Sequence, residues 1–263
     1  MPDKPTIHAV EVGATGRTVV FLHGLFGQGK NFTQAAKSLV PEFRSMLIDL
    51  PDHGQSAWTD GIDYADMADR VAGFLRDEVA PDGSIDLVGH SMGGKVAMVL
   101  ALRHPDLVRR LVVVDISPSA SEDSGEFQHL LDSLAELDLA TLNRRGEADE
   151  RLADQIEDPR VRGFLLQNLR SGPDGFMWQA NLAVLRRDLA AIGDFPQLDG
   201  TFDGAVLWMA GDRSSYITDQ DEPAMRRLFP RTTLVTVKGA GHWVHSEQPE
   251  AFASALRVFL SAD

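Results

Sequence analysis

Residues 85–95 read IDLVGHSMGGK. The short apolar run Ile85–Val88 has the look of a buried strand, Gly89 to Gly94 can only be a tight turn, and Lys95–Arg103 follows as an apolar helix that stops at His104-Pro105, because a residue before proline is held out of the helical region. The same alternation extends in both directions. Upstream, Thr18–Leu22 (TVVFL) is a strand, followed by a Gly-rich turn and a helix near Asn31–Leu39, and Met46–Ile48 closes a second strand at Asp49. Tyr64–Val79 places Met67, Val71, Phe74, Leu75 and Val79 at helical spacing. Downstream, Leu111–Val114 is a strand ending at Asp115. Ser119–Ala191 carries no strand pattern and divides into three or four helices at Gly146, Asp158-Pro159 and Ser171–Gly175. Alternation resumes with the strand Ala205–Met209, a helix near Asp221–Phe229, the strand Thr232–Val237 and a helix over Pro249–Leu260. Strands separated by helices predict a parallel sheet covered on both faces, an α/β class. The expected division is a core over 1–118 and 201–263 with a helical cap over 119–200. Sites in such sheets lie beyond the carboxyl ends of the strands.

Composition narrows the field. The chain has 263 residues, 43% hydrophobic and 24% charged, close to an ordinary globular protein. No apolar run approaches the roughly 20 residues of a membrane span, and Met1–Arg17 has no apolar segment of the signal-peptide kind, so no stable membrane insertion is expected. The absence of cysteine excludes disulfides, thiolate metal sites and a cysteine nucleophile, and points to the cytoplasm. A formal net charge of −14 is repelled by phosphate backbones, which argues against a nucleic-acid partner. The histidines show no i, i+4 helical pair, so neither a metal nor another cofactor is expected, and the sequence assigns no oligomeric state.

Three Gly-flanked motifs fall at strand ends. In Gly89-His90-Ser91-Met92-Gly93 the serine sits on a sharp turn that needs glycine neighbours, with the Met92 N–H at a helix N-terminus suited to a developing oxyanion. GxSxG arises by chance in roughly one chain in ten of this length, so its weight comes from its partners. His23-Gly24-Leu25-Phe26-Gly27 ends the first strand, and there a second oxyanion donor is needed; Leu25 N–H is the choice. His23, Gly24, Phe26, Trp178 and Trp243 are the candidate substrate contacts. In Gly239-Ala240-Gly241-His242-Trp243, His242 can reach Ser91 as general base. Asp115 and Asp212 both satisfy the order Ser, Asp, His, and either could supply the carboxylate that orients the imidazole.

HGLFG, the Asp49–Ser56 loop DLPDHGQS, GHSMGGK, VVVDISP and GAGHWVHSEQPE together resemble the α/β-hydrolase fold, in that family's order and over nearly the whole chain. The resemblance is closest to a branch of small serine esterases and thioesterases of bacteria and mitochondria, whose cap ends in a segment like Phe176–Leu182 (FMWQANL). It implies a mostly parallel twisted sheet with a helical cap inserted after the sixth strand. In most of the superfamily the acid stands three residues after the glycine closing its strand, where this chain has Ser214. The resemblance therefore favours Asp115, with Asp212 as the alternative.

A competing motif is GxxxxGK in Gly89–Lys95, but a phosphate-binding loop needs Ser or Thr after the lysine to hold magnesium, and Val96 has no oxygen. Ser91 argues against the dehalogenase and epoxide-hydrolase branches, which use aspartate at the elbow. The expected activity is cleavage of short- to medium-chain acyl esters or thioesters by Ser91, His242 and Asp115 through an acyl-enzyme, with a small-molecule ester or thioester as partner. The same triad serves acyltransferases, cofactor-free haloperoxidases and carbon–carbon bond hydrolases, and a non-catalytic ligand-binding homologue would keep the pocket without turnover.

Overall fold

The computed structural model describes residues 6–81, 83–120 and 125–262. In chain order its first half comprises β1 (His8–Val12), β2 (Arg17–Leu22), α1 (Thr33–Leu39), β3 (Phe43–Asp49), α2 (Tyr64–Phe74), β4 (Ile85–His90), α3 (Met92–Arg103) and β5 (Val108–Val114). Next come α4 (Gly125–Glu136), α5 (Arg145–Leu152), α6 (Pro159–Leu165), a hairpin of β6 (Leu169–Gly172) and β7 (Gly175–Trp178), α7 (Leu182–Arg187) and α8 (Leu189–Gly193). The chain closes with β8 (Ala205–Gly211), α9 (Glu222–Leu228), β9 (Thr232–Val237), α10 (Val244–Glu247) and α11 (Pro249–Ser261).

Seven strands form one sheet in the order β1-β3-β2-β4-β5-β8-β9. β1 runs antiparallel to β3 and every other pairing is parallel. β2 explains why the inner strands lack a polar alternation. Val20 and Leu22 pack on one face with α2 and α3, while Val19 and Phe21 pack on the other with α1 and α11; a strand covered on both sides needs apolar residues at every position. α3 is buried from Met92 to Ala101, which anchors the turn that precedes it.

The sheet differs from the sequence expectation in three places. β1 went unread, because five residues with the pattern HAVEV are half-exposed at a sheet edge. The helical segment follows the fifth strand in chain order rather than the sixth, since β1 is the single edge strand before β2. That segment is also not wholly helical: Ser171–Gly175, expected as a break between helices, is the turn region of the β6–β7 hairpin, with Leu169 opposite Trp178. Two four-residue strands are too short to leave a periodic signal. Residues 1–5 of the N-terminal stretch and 121–124 at the start of the expected cap lie outside the described residues. Among the described residues, no helix is long and apolar enough to cross a membrane.

Candidate active site

The carboxyl ends of β4, β5, β8 and β9 converge on one point. Ser91 follows β4 directly and takes φ 53°, a left-handed conformation that costs a non-glycine residue of order 1–3 kcal/mol and persists only where the surroundings enforce it. Packing enforces it here. A Cβ on Gly93 would meet the Leu22 carbonyl oxygen at 2.5 Å, one on Gly89 would meet the Gly93 oxygen at 2.3 Å, and one on Gly24 would meet His90 Nδ1 at 2.9 Å and Ser91 Cβ at 3.1 Å. Only glycine at these three positions lets the elbow and the loop after β2 close around the serine. Ser91 N–H donates to the Val114 carbonyl (3.1 Å), tying the turn to the end of β5.

Asp115, the next residue after β5, also takes a positive φ (51°) and is fully buried. Its Oδ1 accepts the Gly211 N–H (2.9 Å), and its Oδ2 accepts from His242 Nδ1 (2.8 Å) and from the Ser214 hydroxyl. His242 Nε2 lies 3.0 Å from Ser91 Oγ. With the carboxylate accepting at Nδ1, the ring proton resides there and the Nε2 lone pair faces the serine hydroxyl. Chemically, such an arrangement can take a proton from a hydroxyl and hold the resulting imidazolium beside a buried anion. Asp212 is elsewhere: it is exposed, and its Oδ1 accepts the Gly239 N–H (2.8 Å) to brace the turn before His242.

The loop carrying His242 is clamped from several sides. Glu247 accepts the N–H groups of Gly241 (3.0 Å) and Trp243 (3.3 Å) and pairs with Arg213 (3.1 Å). His90 Nε2 donates to the His242 carbonyl (2.8 Å), and the Tyr216 ring stacks on the imidazole with centroids 4.2 Å apart. Burial, followed by the neighbouring His245 and His242, holds the His90 pKa well below the ordinary value, so His90 is a neutral donor.

Leu25 and Met92 line a small cavity of about 40 Å³ at Ser91. Its other walls are Ile116, Phe127, Leu189, Ile192 and Tyr216, with Lys95 and Gly193. The Phe26 N–H is bonded to His53 Nε2 (3.3 Å) and is therefore engaged elsewhere. Phe26 itself is buried, takes φ 62°, and meets Phe127 at 6.3 Å. His23 belongs beneath the site rather than in it: it is 1% exposed, Nε2 accepts the Leu50 N–H (2.9 Å), and Nδ1 donates to the Gly24 carbonyl (2.8 Å). Gly24 serves close approach. Trp178 stands on the β6–β7 hairpin and lines neither the Ser91 cavity nor the groove described next. Trp243 lines a second, larger space of about 520 Å³, opposite Phe164 at 6.1 Å.

Sequence reading missed Tyr216, Glu247 and Ser214 at the site. It also missed Lys95, whose fully buried ammonium donates to the carbonyls of Gly193 (2.6 Å), Asp194 (2.8 Å) and Ile192 (3.4 Å) at the end of α8. A lysine inside an otherwise apolar helix was the available signal. Among the described residues, no group of three or more His, Cys, Asp or Glu side chains is placed to hold a metal ion.

Known proteins give the same frame. The family model described as "alpha/beta hydrolase fold" matches residues 17–249. The chain is 38% identical over 248 residues to "sn-1-specific diacylglycerol lipase ABHD11" of Danio rerio, covering 92% of this chain and 78% of that relative. It is 29% identical over 245 residues to "Esterase YbfF" of Escherichia coli strain K12, covering 92% of each. Among solved structures, "Marine microorganism esterase" superposes with a TM-score of 0.93 at 31% identity, over 98% of this chain and 100% of that one. With the elbow, the sheet order and these matches in agreement, the chain belongs to the alpha/beta hydrolase fold family, in its branch of small esterases.

Proposed function

We propose that this protein is a serine carboxylic ester hydrolase acting on short-acyl esters or thioesters through an acyl-enzyme, with residues 119–200 serving as the cap over its pocket. The observation that carries this reading is the continuous Asp115–His242–Ser91 chain, with steps of 2.8 and 3.0 Å. Ser91 Oγ attacks the acyl carbon as its proton passes to His242 Nε2. The N–H groups of Leu25 and Met92 hold the oxyanion. The bond to the leaving oxygen or sulfur breaks as His242 returns the proton to that atom. Water, deprotonated by His242, then attacks the acyl-enzyme and releases the acid. Removing one oxyanion donor costs about 10²–10³ in rate, so both amides matter.

Acyl size follows from the cavity. The cavity of about 40 Å³ at Ser91, walled by Leu25, Ile116, Phe127, Leu189 and Ile192, favours a short acyl chain. A long acyl chain of the kind a diacylglycerol carries would require Leu189 and Ile192 to move. The test is hydrolysis of p-nitrophenyl esters from acetate to palmitate, wild type beside Ser91→Ala. The expected result is an optimum at the short end and a loss on the order of 10⁶ in kcat in the variant. An optimum at palmitate would overturn the acyl assignment, and turnover surviving in Ser91→Ala would overturn the nucleophile.

A further inference from the structure

This inference rests on the esterase reading and concerns the other half of the substrate. His242 must protonate the departing oxygen or sulfur, so the leaving group lies beside the imidazole, at its Trp243 edge rather than at the Tyr216 face that borders the small acyl cavity. On that side Trp243 and His245 open onto the groove of about 520 Å³, whose far wall is Arg160 and Phe164 of α6. Asn31, Gln167 and Ser246 line this groove and also a shallow basin of about 760 Å³ rimmed by Lys30 and Lys37. Asn31 Nδ2 donates to Gln167 Oε1 (2.9 Å), which makes the shared floor a fixed joint between the β2–α1 loop and the segment after α6.

The charge in this place runs against the rest of the molecule. Burial, followed by the guanidiniums of Arg170 and Arg145, pulls the Lys30 pKa below the ordinary lysine value, with Asp49 opposing; like charges therefore stand close together. Arg145 donates to the carbonyls of Leu169 (3.1 Å) and Leu166, and Arg170 to Gln179 Oε1 (2.6 Å). Among the described residues, neither Lys30, Lys37, Arg145 nor Arg170 forms an ion pair with a carboxylate, although the chain carries 39 acidic and 25 basic side chains. The carboxylates that line the groove are already neutralised: Asp158 by Arg160 (3.1 Å) and Glu247 by Arg213 (3.1 Å). A cluster of cations in an acidic protein is held apart from its own carboxylates only at a cost in repulsion, which a bound anion would relieve.

The geometry points to a long leaving group that runs from Ser91 through this groove and ends in an anionic group, a phosphate or a carboxylate, seated on Lys30 and Lys37 at the rim of the basin. The chemistry at the acyl carbon is unchanged: the alcohol or thiol departs with the proton that left Ser91.

Three thioesters test it: S-acetyl-pantetheine, which is neutral, S-acetyl-4′-phosphopantetheine, and the same pantetheine thioester carrying a hemisuccinate at its distal hydroxyl. The expected result is a kcat/KM at least about tenfold higher for one or both charged probes than for the neutral one at low ionic strength. That ratio should fall toward one in 0.5 M NaCl, where the screening length is only a few ångströms (about 3 Å at 1 M). It should also collapse in the double variant Lys30→Gln/Lys37→Gln and drop below one in Lys30→Glu/Lys37→Glu. Preference for the phosphate probe alone assigns a phosphate, and preference for both assigns charge in general. A ratio near one in the wild type, or a ratio that the lysine variants leave intact, overturns the proposal while leaving ester hydrolysis standing. Failure to hydrolyse any of the three probes, or any p-nitrophenyl ester, overturns the esterase reading itself.

Discussion

Ser214 donates its hydroxyl proton to Oδ2 of Asp115, the same oxygen that holds His242 Nδ1. In the proposed triad, the end of β8 supplies only a neutral donor, and the negative charge comes from the neighbouring strand, β5. Substitutions should separate the two. Asp115→Asn keeps the volume but turns the imidazole to the wrong tautomer, so kcat should fall about 10⁴-fold. Ser214→Ala removes one of three donors to the carboxylate and should cost roughly tenfold, in line with one hydrogen bond to a charged group. Asp212→Asn should stay within a few-fold of wild type. Steady-state kinetics on p-nitrophenyl acetate decide; a larger loss in Asp212→Asn than in Asp115→Asn reverses the assignment.

Gly24→Ala tests the close packing under the nucleophile. The added methyl would stand 2.9 Å from His90 Nδ1 and 3.1 Å from Ser91 Cβ, and His90 cannot retreat without releasing the His242 carbonyl. The variant should lose about 1–3 kcal/mol of stability and at least tenfold in kcat. Urea unfolding and kinetics measured together give the answer, and a variant with wild-type kcat would mean that the elbow tolerates a displaced loop.

Lys95→Met would leave the terminal carbonyls of α8 without their donor while keeping the aliphatic stem. Burial pulls the Lys95 pKa to about 8, so the ammonium remains charged at neutral pH. The expected cost is about 1–3 kcal/mol, together with a shift of the acyl optimum to longer chains as the Ile192–Gly193 wall loosens. An unchanged chain-length profile would show that this wall is held by packing alone.

Acid should weaken the fold before it protonates most carboxylates. His53 is fully buried; desolvation, and then the nearby His23, lower its pKa to about 4. Between pH 6.5 and 4 the unfolded chain therefore binds a proton that the folded chain refuses, and stability falls as pH falls. From His53 alone the loss by pH 4 is about 3 kcal/mol. His23 and His90, both lowered first by burial, act in the same direction. His245, whose pKa burial first and then His242 lower to about 4, acts in the same direction. Urea midpoints at pH 7.5 and 4.5 should differ clearly, and the difference should shrink in His53→Gln; equal midpoints in the wild type would contradict the buried, neutral state.

What could be read from the sequence was whatever a local pattern encodes. The elbow at Ser91 shows in its glycines because the end of β2 and the loop after it approach within contact of it. The strands β2, β4, β5 and β8 show in their apolar runs because both faces of the sheet are covered, while β9, at the edge with Leu234 51% exposed, shows through its β-branched residues. From the residues alone the acid stayed open between Asp115 and Asp212, since both follow strands, and only the three-dimensional paths of the turns after β5 and β8 bring the first to His242 and leave the second exposed beneath Gly239. His23 reads as a site residue next to Gly24, yet the pleat turns its ring under the loop and onto backbone groups. Cavity sizes and the cluster around Lys30 depend on residues far apart in the chain, as Arg145 and Arg170 show, and no local pattern announces them.

His90 and Val114 are directly paired across β4 and β5, and the Ser91 amide bonds to the Val114 carbonyl. On the reading argued above, nucleophile and acid thus descend together as one inherited unit, carried by two adjacent central strands. The turn after β8 is relieved of the indispensable charge and keeps only the Ser214 hydroxyl and the Tyr216 ring. A substitution at Ser214 or Tyr216 therefore alters the setting of the carboxylate and the imidazole without removing either, so this turn tunes the rate while the neighbouring strands hold the reaction itself.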